Sequence, residues 1–399
     1  MTAPITQSTN IKIIFALTLV HFTGDFYSSF ISPIFPAFVD KLSLSMTQVG
    51  IIAGTMRFLA FIVQPSVGYI ADRYPSRSFA LGGLLLTVLF IPLSGLSPSF
   101  VVLILLLAIG SVGSSMFHPS ITGMVPIYAG KKSGFSMSIF NTGGTLAFGG
   151  GPLFITWFVV QYGLSAMPAT MLIGLGVLIY LYRVLPMPEE EGLKNSGFIN
   201  SLKDSLGEVW KAVLLIWCVM VLRATVGQSF MTFMPVLLAQ KGYPLVAVGG
   251  VTSLFVVAGT LSGLAAGYLS DKTGFKPIFY WTHGLMTPAL LLFLNLSGNW
   301  IYPGAFIAGL FVLATLPIGV VMAQQLAPRG RSMVASLMMG FAYGLGGVIS
   351  PVIGKLSDLF SIQSVLFYVA FIPLLTLVII FFFPDVGQEK GHIKSTQKI

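Results

Sequence analysis

Twelve long apolar runs, separated by short polar loops, decide most of what this chain can become. Their approximate limits are 12–38, 46–71, 78–97, 99–128, 131–161 and 165–185, then 209–240, 244–271, 276–296, 300–327, 330–360 and 363–384. Each reaches the ~20 residues that a helix needs to cross a bilayer. In lipid the backbone must satisfy its own hydrogen bonds, which leaves helices or a closed barrel. The runs are continuous and do not alternate, so helices are expected. Composition excludes the soluble alternative: 8% of residues are charged, against about 25% in a soluble domain.

The chain also repeats itself. Gly68-Tyr69-Ile70-Ala71-Asp72-Arg73-Tyr74-Pro75-Ser76-Arg77 follows the second run, and Gly267-Tyr268-Leu269-Ser270-Asp271-Lys272-Thr273-Gly274-Phe275-Lys276 follows the eighth, 199 residues later. The same offset carries Gly110 onto Gly309, Lys132 onto Arg331 and Pro152 onto Pro351. Two similar halves follow, 1–185 and 209–399, joined by a polar linker at 186–208 that holds Pro186, Pro188, Glu189, Glu190, Glu191, Lys194, Lys203 and Asp204. The expected fold is an all-α integral membrane protein, with twelve transmembrane helices in two pseudo-symmetric six-helix bundles.

The net charge is +9. In this context the basic residues set topology and do not point to nucleic acid. Arg73, Arg77, Lys131, Lys132, Lys194, Lys203, Lys272, Lys276, Arg329 and Arg331 occupy alternate loops, and the opposite loops hold little beyond Lys41 and Lys241. The basic loops are expected on the cytoplasmic side, with both termini, in the inner membrane of a bacterium. The first run lacks a basic segment before it and a small-residue cleavage signal after it, so it reads as a retained helix. The single cysteine, Cys218, excludes a disulfide framework. No phosphate-binding Gly-x-x-x-x-Gly-Lys-Ser/Thr loop, metal cluster or Gly-x-Ser-x-Gly is present, so no cofactor, metal or enzyme is expected.

Few ionisable residues fall within the spans: His21, Asp25, Arg57, His118, Arg223 and His283, with Lys355 and Asp358 near an end. A charge in the bilayer centre costs about 2.5–3.5 kcal/mol or more, so its default reading is functional. Asp25 is the one acid expected mid-span, and His21 lies one helical turn before it on the same face. The pair is the candidate for proton coupling; the plainer reading is a structural pair that seats the first helix. Arg57 and Arg223 fall in the second and seventh spans, and their planar forks suit carboxylate, phosphate or phosphonate. Either they bind an anionic substrate, or Arg57 simply neutralises Asp25. His118, Asn141, Gln228, Tyr27 and Gln324 are polar candidates for reading the substrate, with packing as the competing role. His283 reads as structural, with nothing in the sequence to pair with it. Glycines cluster in the fifth and eleventh runs, where they serve close packing or bending equally well.

The motif Gly68-x-x-x-Asp72-Arg73-x-x-x-Arg77 and its echo resemble the loop signature of the major facilitator superfamily, with Pro75 in place of the usual glycine. A nearer resemblance is to the fosmidomycin-resistance family of exporters. It rests on His21-x-x-x-Asp25, Gln64-Pro65-x-x-Gly68-Tyr69-x-x-Asp72-x-Tyr74-Pro75, Gly113-Ser114-Ser115-x-Phe117-His118-Pro119, Ser138-Ile139-Phe140-x-x-Gly143-Gly144, Gly151-Pro152-Leu153 and Gly340-Phe341-Ala342-x-Gly344-x-Gly346-Gly347. Ser120 and Gln325 stand where that family's pattern has acids.

The resemblance implies two bundles that rock around a central site, driven by an ion gradient. It also implies gating roles for Asp72, Arg73, Arg77, Asp271, Lys272, Gly151 and Pro152. The expected function is a secondary transporter working by alternating access: a proton-coupled exporter (antiporter) of a small drug or anionic metabolite. An uptake symporter for a small organic anion would use the same residues. A non-transporting sensor or assembly partner is the third reading. The expected partners are a small anionic or amphipathic molecule, protons and the lipid bilayer, with the chain acting as a monomer.

Overall fold

The computed structural model describes residues 9–71, 76–129, 133–186, 206–327, 334 and 337–384. Asp72 and Arg73 of the signature loop, and nearly all of the linker, lie outside these residues. Eleven helical stretches among the described residues are long and apolar enough to cross a membrane.

The first run is not one continuous helix as expected. Helix α1 covers Ile11–Ser28, a 3₁₀ turn covers Ser32–Ile34, and α2 covers Phe35–Leu42. Pro33 and Pro36 cause the break, since neither has an N–H to continue the helical ladder. At its start α1 is capped by the Asn10 side chain, which accepts from the Ile13 N–H. Helices α3 (Met46–Ala71), α4 (Ser76–Leu93), α5 (Phe100–Ala129), α6 (Ser133–Tyr162) and α7 (Met171–Val184) complete the first six spans.

The second half holds α8 (Trp210–Gln240), α9 (Leu245–Thr273), α10 (Phe275–Asn295), α11 (Ile301–Leu313) and α12 (Thr315–Leu326). The expected eleventh span is described only from its middle and is segmented. A π-helical turn at Leu337–Phe341 leads into α13 (Ala342–Val348) and α14 (Ser350–Leu359). Pro351 removes the N–H that would bridge the junction at Ile349. Helices α15 (Ile362–Val369) and α16 (Ile372–Phe381) form the last span.

The chain divides into two compact units, 1–194 with 232–253, and 195–231 with 254–399. The end of α8 and the start of α9 group with the first unit. In that unit α1 is central and packs on α4, α5, α6 and α7. Gly151 lets α6 approach α1: a Cβ there would meet Ser29 Oγ at 1.9 Å. Further along α6, the start of α9 closes in. A Cβ on Gly249 would fall 2.1 Å from Thr156 Oγ1 and 2.7 Å from the Pro152 carbonyl. Gly151 and Pro152 therefore stand at tight helix contacts within this unit.

In the second unit α10 packs on α11, α12, α15 and α16. Its core includes Met220, Phe279, Ile318, Met322 and Met338. Large apolar side chains also cover the outside: Leu172, Leu264, Trp281, Trp300 and Tyr368 are exposed, Leu172 at 75%. A water-facing surface of that kind would aggregate; a lipid-facing one is stable.

The sequence repeat is visible in the packing. Arg77, at the start of α4, donates to the Tyr182 carbonyl near the end of α7 and stacks on the Tyr182 ring at 4.8 Å. Lys276, at the start of α10, donates to the Phe383 carbonyl at 3.1 Å and sits 5.8 Å from the Phe381 ring. The offset of 199 relates Arg77 to Lys276 and Tyr182 to Phe381. A cation at a helix C-terminus meets unpaired carbonyls and the negative end of the dipole. Arg77 thus ties α4 to α7 inside its own unit, a packing role beside the gating role expected of it.

Candidate functional site: a carboxylate between two histidines

Asp25 is buried at 3% exposure in the middle of the first unit. His21, one turn earlier on α1, places Nε2 3.1 Å from Asp25 Oδ2. His118, from α5, places Nε2 2.9 Å from Oδ1. Oδ1 accepts a hydrogen bond from that ring only when His118 carries a hydrogen on Nε2. The two imidazoles meet edge to face, with centroids 5.3 Å apart. His118 was expected among substrate-reading residues; the structure brings it to the carboxylate. Between them His21 and His118 meet both carboxylate oxygens.

Backbone carbonyls fix both rings. His21 Nδ1 lies 3.0 Å from the Phe140 carbonyl on α6, and the ring stacks on Phe140 at 4.3 Å. His118 Nδ1 lies 2.8 Å from the Ser114 carbonyl, one turn back on α5, and its ring stacks on Phe117. Pro119 follows at once and offers no N–H to the Ser115 carbonyl, so the helix is loosened where His118 turns inward. Gly144 closes the site from α6. A Cβ there would lie 2.8 Å from Asp25 Oδ2 and from His21 Cε1 and Nε2. The donor atoms of the three side chains all lie within 4.8 Å of one another, close enough to share a cation.

Tyr27 is not placed to read a substrate through its hydroxyl. It is 2% exposed, donates to the Thr170 carbonyl and accepts from the Gly174 N–H at 3.0 Å. Both bonds reach the start of α7, so Tyr27 bolts α1 to that helix. Asn141 is exposed on α6, and Arg57 is half-buried on α3.

The second unit holds a different centre. Arg223 on α8 is 1% exposed, donates from Nη1 to the Val312 carbonyl at 3.1 Å, and leaves Nε buried without a partner. Val312 lies at the break between α11 and α12, where Pro317 has no N–H for the Leu313 carbonyl. Arg223 forms no salt bridge to a described residue; Tyr343 of α13 is near enough to interact with it electrostatically. Gln228 is buried one turn or so along α8, with Thr225 and Ser229. Gln324 on α12 is half-buried, and Asp271 and Lys272 are exposed at the end of α9, where Lys272 sits 4.3 Å from the Tyr268 ring.

His283 proves to be partnered by residues far away in sequence. Thr376 donates its only hydroxyl proton to the Pro373 carbonyl, so it must accept from His283 Nδ1 at 2.6 Å. Thr315 lies 3.3 Å from the other ring nitrogen. The ring is thereby a tie between α10, α12 and α16.

Comparison with known proteins gives one consistent outcome. The family profile described as Major Facilitator Superfamily matches residues 17–351 and 248–398. The chain is 29% identical over 387 residues to the fosmidomycin resistance protein of Escherichia coli (strain K12), covering 94% of each chain. It is 25% identical over 394 residues to the uncharacterized MFS-type transporter YfnC of Bacillus subtilis (strain 168), covering 95% of each. Its fold is similar to that of a bacterial homologue of the human lysosomal transporter Spinster, solved inward-facing and unoccupied. There the TM-score is 0.80 at 16% identity, covering 94% of this chain and 97% of that one.

Proposed function

The chain belongs to the Major Facilitator Superfamily and is a multi-pass membrane transporter, not an enzyme; from that premise we propose that it is a proton-coupled exporter of a small anionic compound. The observation that carries this reading is Asp25 held between His21 and His118. Imidazole is the side chain whose ordinary titration falls nearest neutral pH, and a carboxylate beside it can share its proton. Arg223 supports an anionic substrate: a buried guanidinium with no salt bridge to a described residue is costly unless an anion joins it. The direction of transport follows the name of the Escherichia coli relative, a resistance protein.

In this reading each proton taken up or released at the Asp25 cluster biases the protein toward one side of the membrane, and the anion at Arg223 biases it toward the other. Alternating access then exchanges one for the other. The basic loops, both termini included, face the cytoplasm.

The test uses proteoliposomes with a pH-sensitive dye inside. Fosmidomycin, other phosphonates, phosphates and carboxylates are added outside, one at a time. Antiport gives internal alkalinisation on addition of substrate. Acidification would mean symport and uptake, and silence across the panel would remove the anion from the reading. Asp25→Asn should abolish gradient-driven movement and retain substrate exchange. Transport of substrate against its gradient by that variant would refute the coupling role.

A further inference from the structure

The geometry around Asp25 points to a cluster with room for two protons, not one: we propose that His21, Asp25 and His118 together pass from no bound proton to two. The inference rests on the proton-coupled reading and adds the capacity of the site. A carbonyl oxygen accepts hydrogen bonds and cannot donate them. The Phe140 and Ser114 carbonyls therefore require a hydrogen on Nδ1 of each histidine. Each neutral ring then presents a lone pair on Nε2, and both lone pairs point at the carboxylate, across gaps of 3.1 Å and 2.9 Å.

With no proton present, two lone pairs face two carboxylate oxygens inside the protein. One proton fills one gap and leaves the other repulsive. Two protons fill both, and the net charge of the cluster has then moved from −1 to +1. His118 is the open member, with 29% of its side chain exposed against 12% for His21 and 4% for Asp25. The second proton therefore enters and leaves through His118.

Among the described residues, no other helix packed around the cluster supplies a competing acid. From α6 the cluster is met by Phe140 and Gly144, neither of which titrates. On α1 the remaining ionisable side chains are Lys12 at its start and Tyr27, bolted to α7. On α5 Tyr128 lies near the far end, on α3 the one charged residue is Arg57, and α4 has only Arg77. Helix α7 carries Tyr180, Tyr182 and Arg183 toward its end.

The chain has four histidines, so nitrogen-15 labelling of histidine gives a spectrum simple enough to assign by single substitutions. The experiment titrates the full chain in lipid nanodiscs. On acidification both His21 and His118 should come to carry hydrogens on both ring nitrogens. As the pH rises both should revert to the Nδ1–H form in two separate steps. In Asp25→Asn the two rings should lose their charge at lower pH than in the wild type. If that variant fails to fold, the wild-type titration decides alone. A single ring charging, or either ring neutral with its hydrogen on Nε2, would overturn the two-proton capacity. Charging of one ring would leave the proton-coupled function standing. Failure of the proteoliposome assay would not alter the ring titration, so the two readings fall separately.

Discussion

Gly144→Ala is the sharpest probe of the Asp25 site, because the structure fixes where the new methyl group must go. Its carbon would lie 2.8 Å from Asp25 Oδ2 and from two atoms of the His21 ring, whereas ordinary contact begins near 3.4 Å. Something must therefore yield by about 0.6 Å. If α6 stays in place, the 3.1 Å contact between His21 and Asp25 opens; if α6 retreats, Phe140 carries its carbonyl away from His21. Overpacking of this kind costs about 1–3 kcal/mol. Expressed in coupling, that is about a 5- to 150-fold loss. The control lies on the same helix: a Cβ on Gly150 meets nothing within 4 Å. The assay compares gradient-driven transport, substrate exchange and thermal stability for the two variants in proteoliposomes. Gly144→Ala should lose gradient-driven transport while exchange persists, and Gly150→Ala should match the wild type. Equal behaviour of the two variants would show that the close approach of α6 to Asp25 does not shape the site.

Three further outcomes are expected. Tyr27→Phe strands the Thr170 carbonyl and the Gly174 N–H in the interior and should cost about 1–3 kcal/mol of stability with substrate affinity unchanged; lost affinity at full stability would return Tyr27 to the binding site. Arg223→Ala should weaken binding of anionic ligands at least about tenfold, roughly the 1.4 kcal/mol of one charge-assisted bond, and leave neutral ligands unaffected; equal weakening of both would refute an anion site. On the proton-coupled reading a strong chelator should leave transport unchanged, and inhibition reversed by zinc would reassign the cluster to a metal.

The helical architecture was legible in the chain because lipid imposes a simple rule, long apolar runs with charges confined to loops. The breaks were harder to read. Pro33 and Pro36 end α1 early, yet Pro92, Pro152 and Pro288 sit inside continuous helices. Proline identity alone does not separate the two outcomes; the neighbouring helices do. At the site, the pairing of His21 with Asp25 was readable because both lie on one helix face. His118 was visible as an ionisable residue within a span, but its place beside Asp25 depends on how α5 packs against α1. The same holds for His283, whose partners Thr315 and Thr376 lie on two other helices. Backbone carbonyls such as those of Ser114 and Phe140 leave no mark in a sequence at all, although they decide which nitrogen of each ring faces the acid.

The paired ties at Arg77 and Lys276 bear on how a duplicated chain can specialise. Shifted by 199 residues, the tie from α4 to α7 reappears between α10 and the end of α16 with its chemistry intact, a cation on an aromatic ring and a terminal carbonyl. The same shift treats the polar centres differently. His21, Asp25 and His118 fall on Met220, Ala224 and Pro317, while Arg223 and Tyr343 fall on Gly24 and Gly144. Where one half has bulk and charge, the other has a small or apolar residue at the matching place. The mechanical frame is thus written twice in this chain. The ionic chemistry is divided between the copies, a carboxylate in one and a guanidinium in the other.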